Sequence, residues 1–225
     1  MMSFEEKQLR DHAVINLYRI GAIQFGDFNL SDGQKTPIYV DMRLVISCPS
    51  VLQTIASLIW RLRPSFNSSL LCGVPYTALA LATCISLKYN ISMVLRRKEL
   101  KHPNQTDRIK VEGLFSPGQT CLVINDVVAS GQSILETAKA LEDEGLNIRE
   151  SLVFLDRQVG GADALKDAGI KLRSVFTLGE LVRSLLDKCE LKEADAAIAS
   201  ALLESFIILC VFILLNNKSL VLLLI

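Results

Sequence analysis

CLVINDVVASGQSILETAKAL, residues 121–141, passes from an apolar run through an Asn-Asp pair and a small-residue turn into a helical pattern. The opening residues read as a strand buried on both faces, because they are continuously apolar and then end in polar side chains. Ile134, Leu135, Ala138 and Leu141 recur at helical spacing, and Gly145 follows as a terminator. Between strand and helix, Ala129, Ser130 and Gly131 let the backbone turn tightly and aim several N–H groups inward. Ser130 and Ser133 add hydroxyls, and the helix contributes its positive end. Together these make an anion nest suited to a phosphate monoester. Asp126 stands just before the nest, placed to accept hydrogen bonds from sugar hydroxyls. The stretch carries neither the GxxxxGK lysine of nucleotide triphosphatases nor the GxGxxG of dinucleotide binders. On spacing alone, an ordinary strand–helix turn is the plain alternative.

The same alternation extends in both directions. Residues 4–20 read as an amphipathic helix on Leu9, Ala13, Leu17 and Ile20. Residues 23–46 carry β-formers, as in TPIYVDMRLVIS, and read as strands. SVLQTIASLIWRL, residues 50–62, reads as a helix with Ser50 as a cap. A strand LLCGV, a helix over 78–88 and a strand SMVLR follow. Residues 97–117 are polar without an apolar period, and a loop of that length in a compact domain serves function or is disordered. Beyond the opening stretch come a buried strand ESLVFLD, a short helix ADALKDAG, a strand LRSVFTL and a helix over 178–188. Strand and helix in turn predict an α/β fold with a central parallel sheet flanked by helices. Ligands of such folds bind beyond the C-terminal strand ends. Three segments put small or polar residues there: 73–77, 125–133 and 156–161.

The 225 residues suit one domain with a small appendage, and half of them are hydrophobic. The 24 basic and 24 acidic side chains cancel, which gives no reason to expect a nucleic-acid surface. Cys48, Cys72, Cys84, Cys121, Cys189 and Cys210 form no CxxC pair, and His12 and His102 are the only histidines, so a zinc site is not expected. The charged N-terminus lacks the apolar stretch of a signal peptide, and a reducing cytosol is the expected compartment. After Glu204 the composition shifts. FIILCVFILLNNKSLVLLLI, residues 206–225, is broken by Asn216, Asn217 and Lys218, and its first run is too short to span a bilayer. A membrane-contacting tail, an added core or dimer element, and a non-native translated end all fit. The chain divides on this reading into residues 1–200 and an apolar tail, 201–225, of unknown role.

VINDVVASGQS, residues 123–133, resembles the phosphoribosyl pyrophosphate signature of type I phosphoribosyltransferases. FGDFNLSDGQKTPIYVDMR, CGVPYTALALAT, RRKELK, VEG and LDRQVGG then follow the order seen in the orotate phosphoribosyltransferase family. The resemblance covers residues 14–187 and extends to the N-terminal part of uridine monophosphate synthases; no decarboxylase region is expected here. It implies the type I fold with a small N-terminal hood over residues 1–200. It implies a pentosyltransferase that makes orotidine 5′-monophosphate and pyrophosphate from orotate and phosphoribosyl pyrophosphate, with Mg²⁺, in pyrimidine biosynthesis. A homodimer whose polar loops reach the partner's site is implied too. Asn125, Asp126, Val127, Val128, Ala129, Ser130, Gly131, Gln132 and Ser133 would hold the ribose and its 5′-phosphate. Tyr76 and Thr77 would lie on the pyrophosphate loop, and Arg97, Lys98 and Lys101 would serve pyrophosphate. Arg157 would meet the orotate carboxylate, with Ile38, Tyr39 and Ala129 beside the base. Lys98, Lys101 and Asp126 would be catalytic. No direct metal ligand is implied except Asp126, since Mg²⁺ prefers substrate phosphates.

The physics agrees with those roles. The sugar becomes cation-like as pyrophosphate leaves, and Lys and Arg stabilise the departing charge. A loop over 97–117 that carries them can exclude water. An Arg fork suits a carboxylate. The plain alternatives are a surface ion pair for Arg157, a solvated cluster for Arg96, Arg97, Lys98 and Lys101, and simple packing for Tyr76.

The chain departs from the family pattern at several points. Asn125 stands at the first acidic position and Ala129 at a usual threonine. Gln24 and Ser31 replace lysines, and Ala80 stands where proline is frequent. Lys101, His102, Pro103 and Asn104 replace a Lys-Asp-His/Tyr-Gly run, and that loop is about two residues longer than in the eukaryotic pattern. Asn125 lacks charge for Mg²⁺ and sugar, and Pro103 removes a proton donor that His102 could replace. A phosphoribosyltransferase for another base, and a weakly active nucleotide-binding relative, therefore stand as alternatives.

Overall fold

The structure is a computed structural model that describes residues 3–29, 35–63, 69–98, 110–189 and 191–216, with the backbone alone at 207 and 209–216. In chain order its elements are α1 (Phe4–Arg19), β1 (Ile23–Asn29), β2 (Lys35–Val40), a 3₁₀ turn (Met42–Ser47), α2 (Pro49–Arg61), β3 (Leu70–Gly73), α3 (Thr77–Tyr89) and β4 (Ser92–Arg96). There follow β5 (Val111–Glu112), β6 (Thr120–Val128), α4 (Gln132–Glu142), β7 (Asn147–Asp156), α5 (Gly161–Asp167), β8 (Lys171–Thr177), α6 (Leu178–Lys188) and α7 (Glu193–Asn216). The chain separates into two compact units, residues 1–51 with 176–225, and residues 52–175.

In the first unit, Ser3 caps α1 by accepting the Glu6 N–H at 3.1 Å. Ala13, Val14 and Leu17 are buried; Leu9 and Ile20, expected on the same face, are half-buried. β1 and β2 form an antiparallel pair in which Ile23 faces Val40. The strand expected to continue through residue 46 stops at Val40. Asp41 ends it by accepting the Arg43 N–H at 3.1 Å, and the chain winds into the 3₁₀ turn. Met42 and Val45, three apart, are the buried members of that turn, which fits its period of three. Thr177 and Glu180 make a reciprocal capping box at the start of α6. α7 runs unbroken through residue 200, and its Asp195 accepts the Tyr18 hydroxyl at 2.9 Å.

The second unit is built on a six-stranded sheet in the order β5-β4-β3-β6-β7-β8. β4, β3, β6 and β7 are mutually parallel, as expected, and β5 adds an antiparallel edge. The segment 97–117 is therefore not wholly loop, since Val111 and Glu112 pair with Arg96 and Leu95. α2 starts at Pro49 rather than after Ser50; proline at the first helical position gives up an N–H that had no partner there. Leu70, Cys72, Val123, Val153, Ile134, Ala138, Leu141 and Leu165 share one core. Burying each of the large aliphatic side chains contributes roughly 1.5–3 kcal/mol. A Cβ on Gly73 would stand 2.6 Å from the Ala78 carbonyl oxygen, so the missing side chain lets α3 settle onto the end of β3.

Candidate active site

Register brings the three predicted segments to one edge of the second unit's sheet. Gly73 faces Ile124 across β3 and β6, and Val128 faces Asp156 across β6 and β7. Two main-chain bonds extend the ladder past the strand ends: Val74 N–H to Ile124 O at 2.9 Å, and Arg157 N–H to Val128 O at 3.0 Å. The segments 73–77, 125–133 and 156–161 thus start from neighbouring strand ends.

The signature loop is held from within. Asn125 is buried, and its side-chain amide donates to the Val127 carbonyl at 2.9 Å. The next residue differs: Asp126 is half-buried, and its Oδ1 accepts the Val127 N–H at 2.8 Å. Gly131, at φ +82°, caps α4 in the left-handed conformation that glycine adopts without cost. The N–H groups of Ala129, Ser130 and Gly131 have no acceptor among the described residues, whereas those of Ile134 and Leu135 both donate to Gly131 O at 3.0 Å. Three successive unspent donors at a helix start are what an anion nest requires. Ser130 and Ser133 are exposed, and the Ser133 carbonyl accepts the Thr137 hydroxyl at 2.7 Å.

Around the loop, Thr77 opens α3, and Tyr76 precedes it with 60% of its surface exposed, so the ring does not serve simple packing. Lys98 Nζ stands 5.8 Å from the centre of that ring. Arg97 pairs with Glu112 at 2.6 Å. Arg96 is not a solvated charge: its guanidinium donates to the buried Thr137 hydroxyl at 3.1 Å and lies 3.4 Å from Glu136. Gln132 donates to the same Glu136 at 3.1 Å, so the first turn of α4 is tied to the end of β4. Arg157 is half-buried, beyond Asp156. Burial raises the Asp156 carboxyl above its ordinary value, against the opposing bond from the Gln158 N–H. Ile38 is buried and Tyr39 half-buried on β2 of the first unit. Gln24 lies on β1 and Ala80 on α3. Ser31, Lys101, His102, Pro103 and Asn104 fall outside the described residues.

Two features of the site carry no sequence signal of their own. A Cβ on Gly161 would collide with the Ala129 carbonyl, which reveals a close approach between loops far apart in the chain. The Arg96–Thr137 bond likewise joins two segments that only the fold brings together.

The phosphoribosyl transferase domain family matches residues 47–170, more than half the chain. The chain is 89% identical over 206 residues to an orotate phosphoribosyltransferase of Chlamydia caviae, covering 92% of this chain and 100% of that protein. The fold matches the crystal structure of orotate phosphoribosyltransferase from Aeropyrum pernix with a TM-score of 0.68 and 29% identity, over 76% of this chain and 96% of that one. It also matches the Mycobacterium tuberculosis enzyme in complex with 5-phospho-α-D-ribosyl 1-diphosphate, with a TM-score of 0.62 and 25% identity over 77% of this chain and 98% of that one. The chain belongs to the phosphoribosyl transferase family. Its function within that family is orotate phosphoribosyl transfer, a pentosyl transfer that forms orotidine 5′-monophosphate in pyrimidine biosynthesis.

Proposed function

We propose that residues 125–133 cradle the 5′-phosphate and ribose of phosphoribosyl pyrophosphate, and that the other residues of the site act around that anchor. The observation that carries this reading is the run of three N–H donors at Ala129, Ser130 and Gly131, where α4 begins, that have no acceptor among the described residues. Ser130 and Ser133 supply hydroxyls beside them, Gln132 closes the turn, and Val127 and Val128 seat it on the sheet. Asp126 accepts hydrogen bonds from the ribose hydroxyls. Tyr76 and Thr77 lie along the pyrophosphate, and Lys98 approaches it from the neighbouring strand end. Arg97 and Lys101 complete the cationic set that balances charge on the leaving pyrophosphate as the sugar becomes cation-like. Arg157 takes the orotate carboxylate with both arms of its fork, and Ala129 borders the base. Ile38 and Tyr39 are assigned to the base by family resemblance alone.

One carboxylate and one amide at the head of the loop suit an ion that keeps most of its ligands on substrate phosphate, so Mg²⁺ would be held by phosphoribosyl pyrophosphate with Asp126 as its protein contact. When bound, the ion supplies charge neutralisation at the pyrophosphate. A homodimer and a cytoplasmic location follow from the family resemblance; among the described residues no helix is long and apolar enough to cross a membrane. The test is steady-state consumption of orotate with phosphoribosyl pyrophosphate and Mg²⁺. The expected result is equal release of orotidine 5′-monophosphate and pyrophosphate. Binding of the sugar diphosphate with no turnover of orotate would instead favour the weakly active relative, and turnover of another base would favour that base.

A further inference from the structure

Gly160 and Gly161 are adjacent, yet they are glycines for different reasons. Gly160 has φ +92°, and a Cβ there would meet nothing within 4 Å. Gly161 needs no left-handed backbone; what it needs is space. A Cβ on it would collide with the Ala129 carbonyl oxygen, and would lie 2.9 Å from Val128 Cγ2 and 3.1 Å from the Ala129 carbonyl carbon. From the opposite side, a Cβ on Gly131 would stand 3.2 Å from the Gly161 carbonyl oxygen. With the bond from Arg157 N–H to Val128 O at 3.0 Å, the backbone after β7 braces the turn after β6 at three points.

The consequence follows from peptide planarity. The Ala129 carbonyl and the Ser130 N–H belong to one rigid plane. Any rotation that moves the oxygen away from a new methyl group swings the Ser130 N–H through the same angle, and hydrogen bonds weaken steeply off line. We propose that Gly161 is a positioning residue for the transfer reaction: lacking a Cβ, it seats the Ala129 carbonyl and thereby fixes the direction of the Ser130 N–H toward the 5′-phosphate. This rests on the reading of residues 125–133 as the phosphate cradle.

The test compares Gly161→Ala with Gly160→Ala in the full chain. Each is measured for melting temperature, for ribose 5-phosphate affinity by calorimetry, and for KM and kcat with phosphoribosyl pyrophosphate. Gly161→Ala is expected to weaken ribose 5-phosphate about tenfold and to raise KM by a similar factor, the loss of one hydrogen bond to a charged group, while kcat changes by less than about threefold. Gly160→Ala is expected to lower the melting temperature through backbone strain and to leave both affinities alone. A folded Gly161→Ala protein with wild-type affinities overturns the proposal, and so does equal weakening by Gly160→Ala. If wild-type protein itself takes up no ribose 5-phosphate, the cradle reading fails first and takes the proposal with it. Should Gly161→Ala not fold, the double variant Val128→Ala/Gly161→Ala relieves the methyl contact, keeps the carbonyl contact, and is judged by the same criteria.

Discussion

Lys98 lies with its ammonium 5.8 Å from the centre of the Tyr76 ring. The two residues follow neighbouring parallel strands, β4 and β3, and both are exposed. An exposed cation over a ring contributes about 0.5–1 kcal/mol, enough to bias where a long side chain rests without locking it. Tyr76→Ala is therefore expected to raise KM for phosphoribosyl pyrophosphate by roughly two- to fivefold, and Tyr76→Phe to leave it unchanged. Initial-rate kinetics decide; equal effects of the two substitutions would show that the hydroxyl, not the ring, matters.

Asn125 illustrates how a departure from the family pattern is accommodated. Its amide donates to the Val127 carbonyl from a buried position, and a carboxylate cannot donate. Asn125→Asp, which restores the family's acidic pair, is expected to destabilise the fold by about 1–3 kcal/mol by leaving that carbonyl unpaired and burying a charge beside Asp126. Urea unfolding measures it, and an unchanged midpoint would show that the loop can repack around the carboxylate.

Asp126→Asn is expected to weaken phosphoribosyl pyrophosphate without unfolding the loop, because an Asn side-chain oxygen can still accept the Val127 N–H. Calorimetry at fixed Mg²⁺ reads the loss, and identical affinity would remove Asp126 from the sugar site.

Lys101→Ala is expected to lower turnover about tenfold or more, as for the loss of one charged contact made in the transition state. Comparing kcat with KM reads the effect, and unchanged turnover would contradict the assignment of Lys101 to the leaving pyrophosphate.

Asp156 predicts a pH dependence of stability. Burial raises its folded-state pKa above the ordinary 3.8, so folding favours the protonated form. The stability this group confers is complete below about pH 3.8 and is lost as pH rises through the folded-state value. Asp156→Asn keeps an acceptor for the Gln158 N–H and cannot ionise. The wild type should therefore lose stability relative to the variant as pH rises above 4. Unfolding curves that stay parallel across the acid range would refute this.

Much of this architecture could be read from residue order, and the exceptions have physical reasons. Cys121 to Ile124 read as a buried strand, and Ile134, Leu135, Ala138 and Leu141 as one helix face; all are buried except Leu135, which packs half-buried against the same core. Residues 42–47 misled because a short apolar stretch fits a period of two as well as three, and Asp41 settles the choice by turning the chain. Val111–Glu112 is too short to show any period and exists because β4 offers an edge. At the candidate site, the small-residue turn and the acidic residue before it are visible in local sequence. The contacts of Gly161 with Ala129 and of Arg96 with Thr137 were not, because each depends on two distant segments meeting.

The short antiparallel edge has a consequence for how this chain tolerates insertion. Arg97 N–H donates to the Lys110 carbonyl at 2.8 Å, and the Arg97–Glu112 pair reinforces the same junction. The ends of the intervening stretch are therefore pinned together whatever its length. Closure entropy grows only with the logarithm of loop length, so two further residues between such ends cost about 0.1 kcal/mol. A change in the length of this stretch is therefore nearly free for folding.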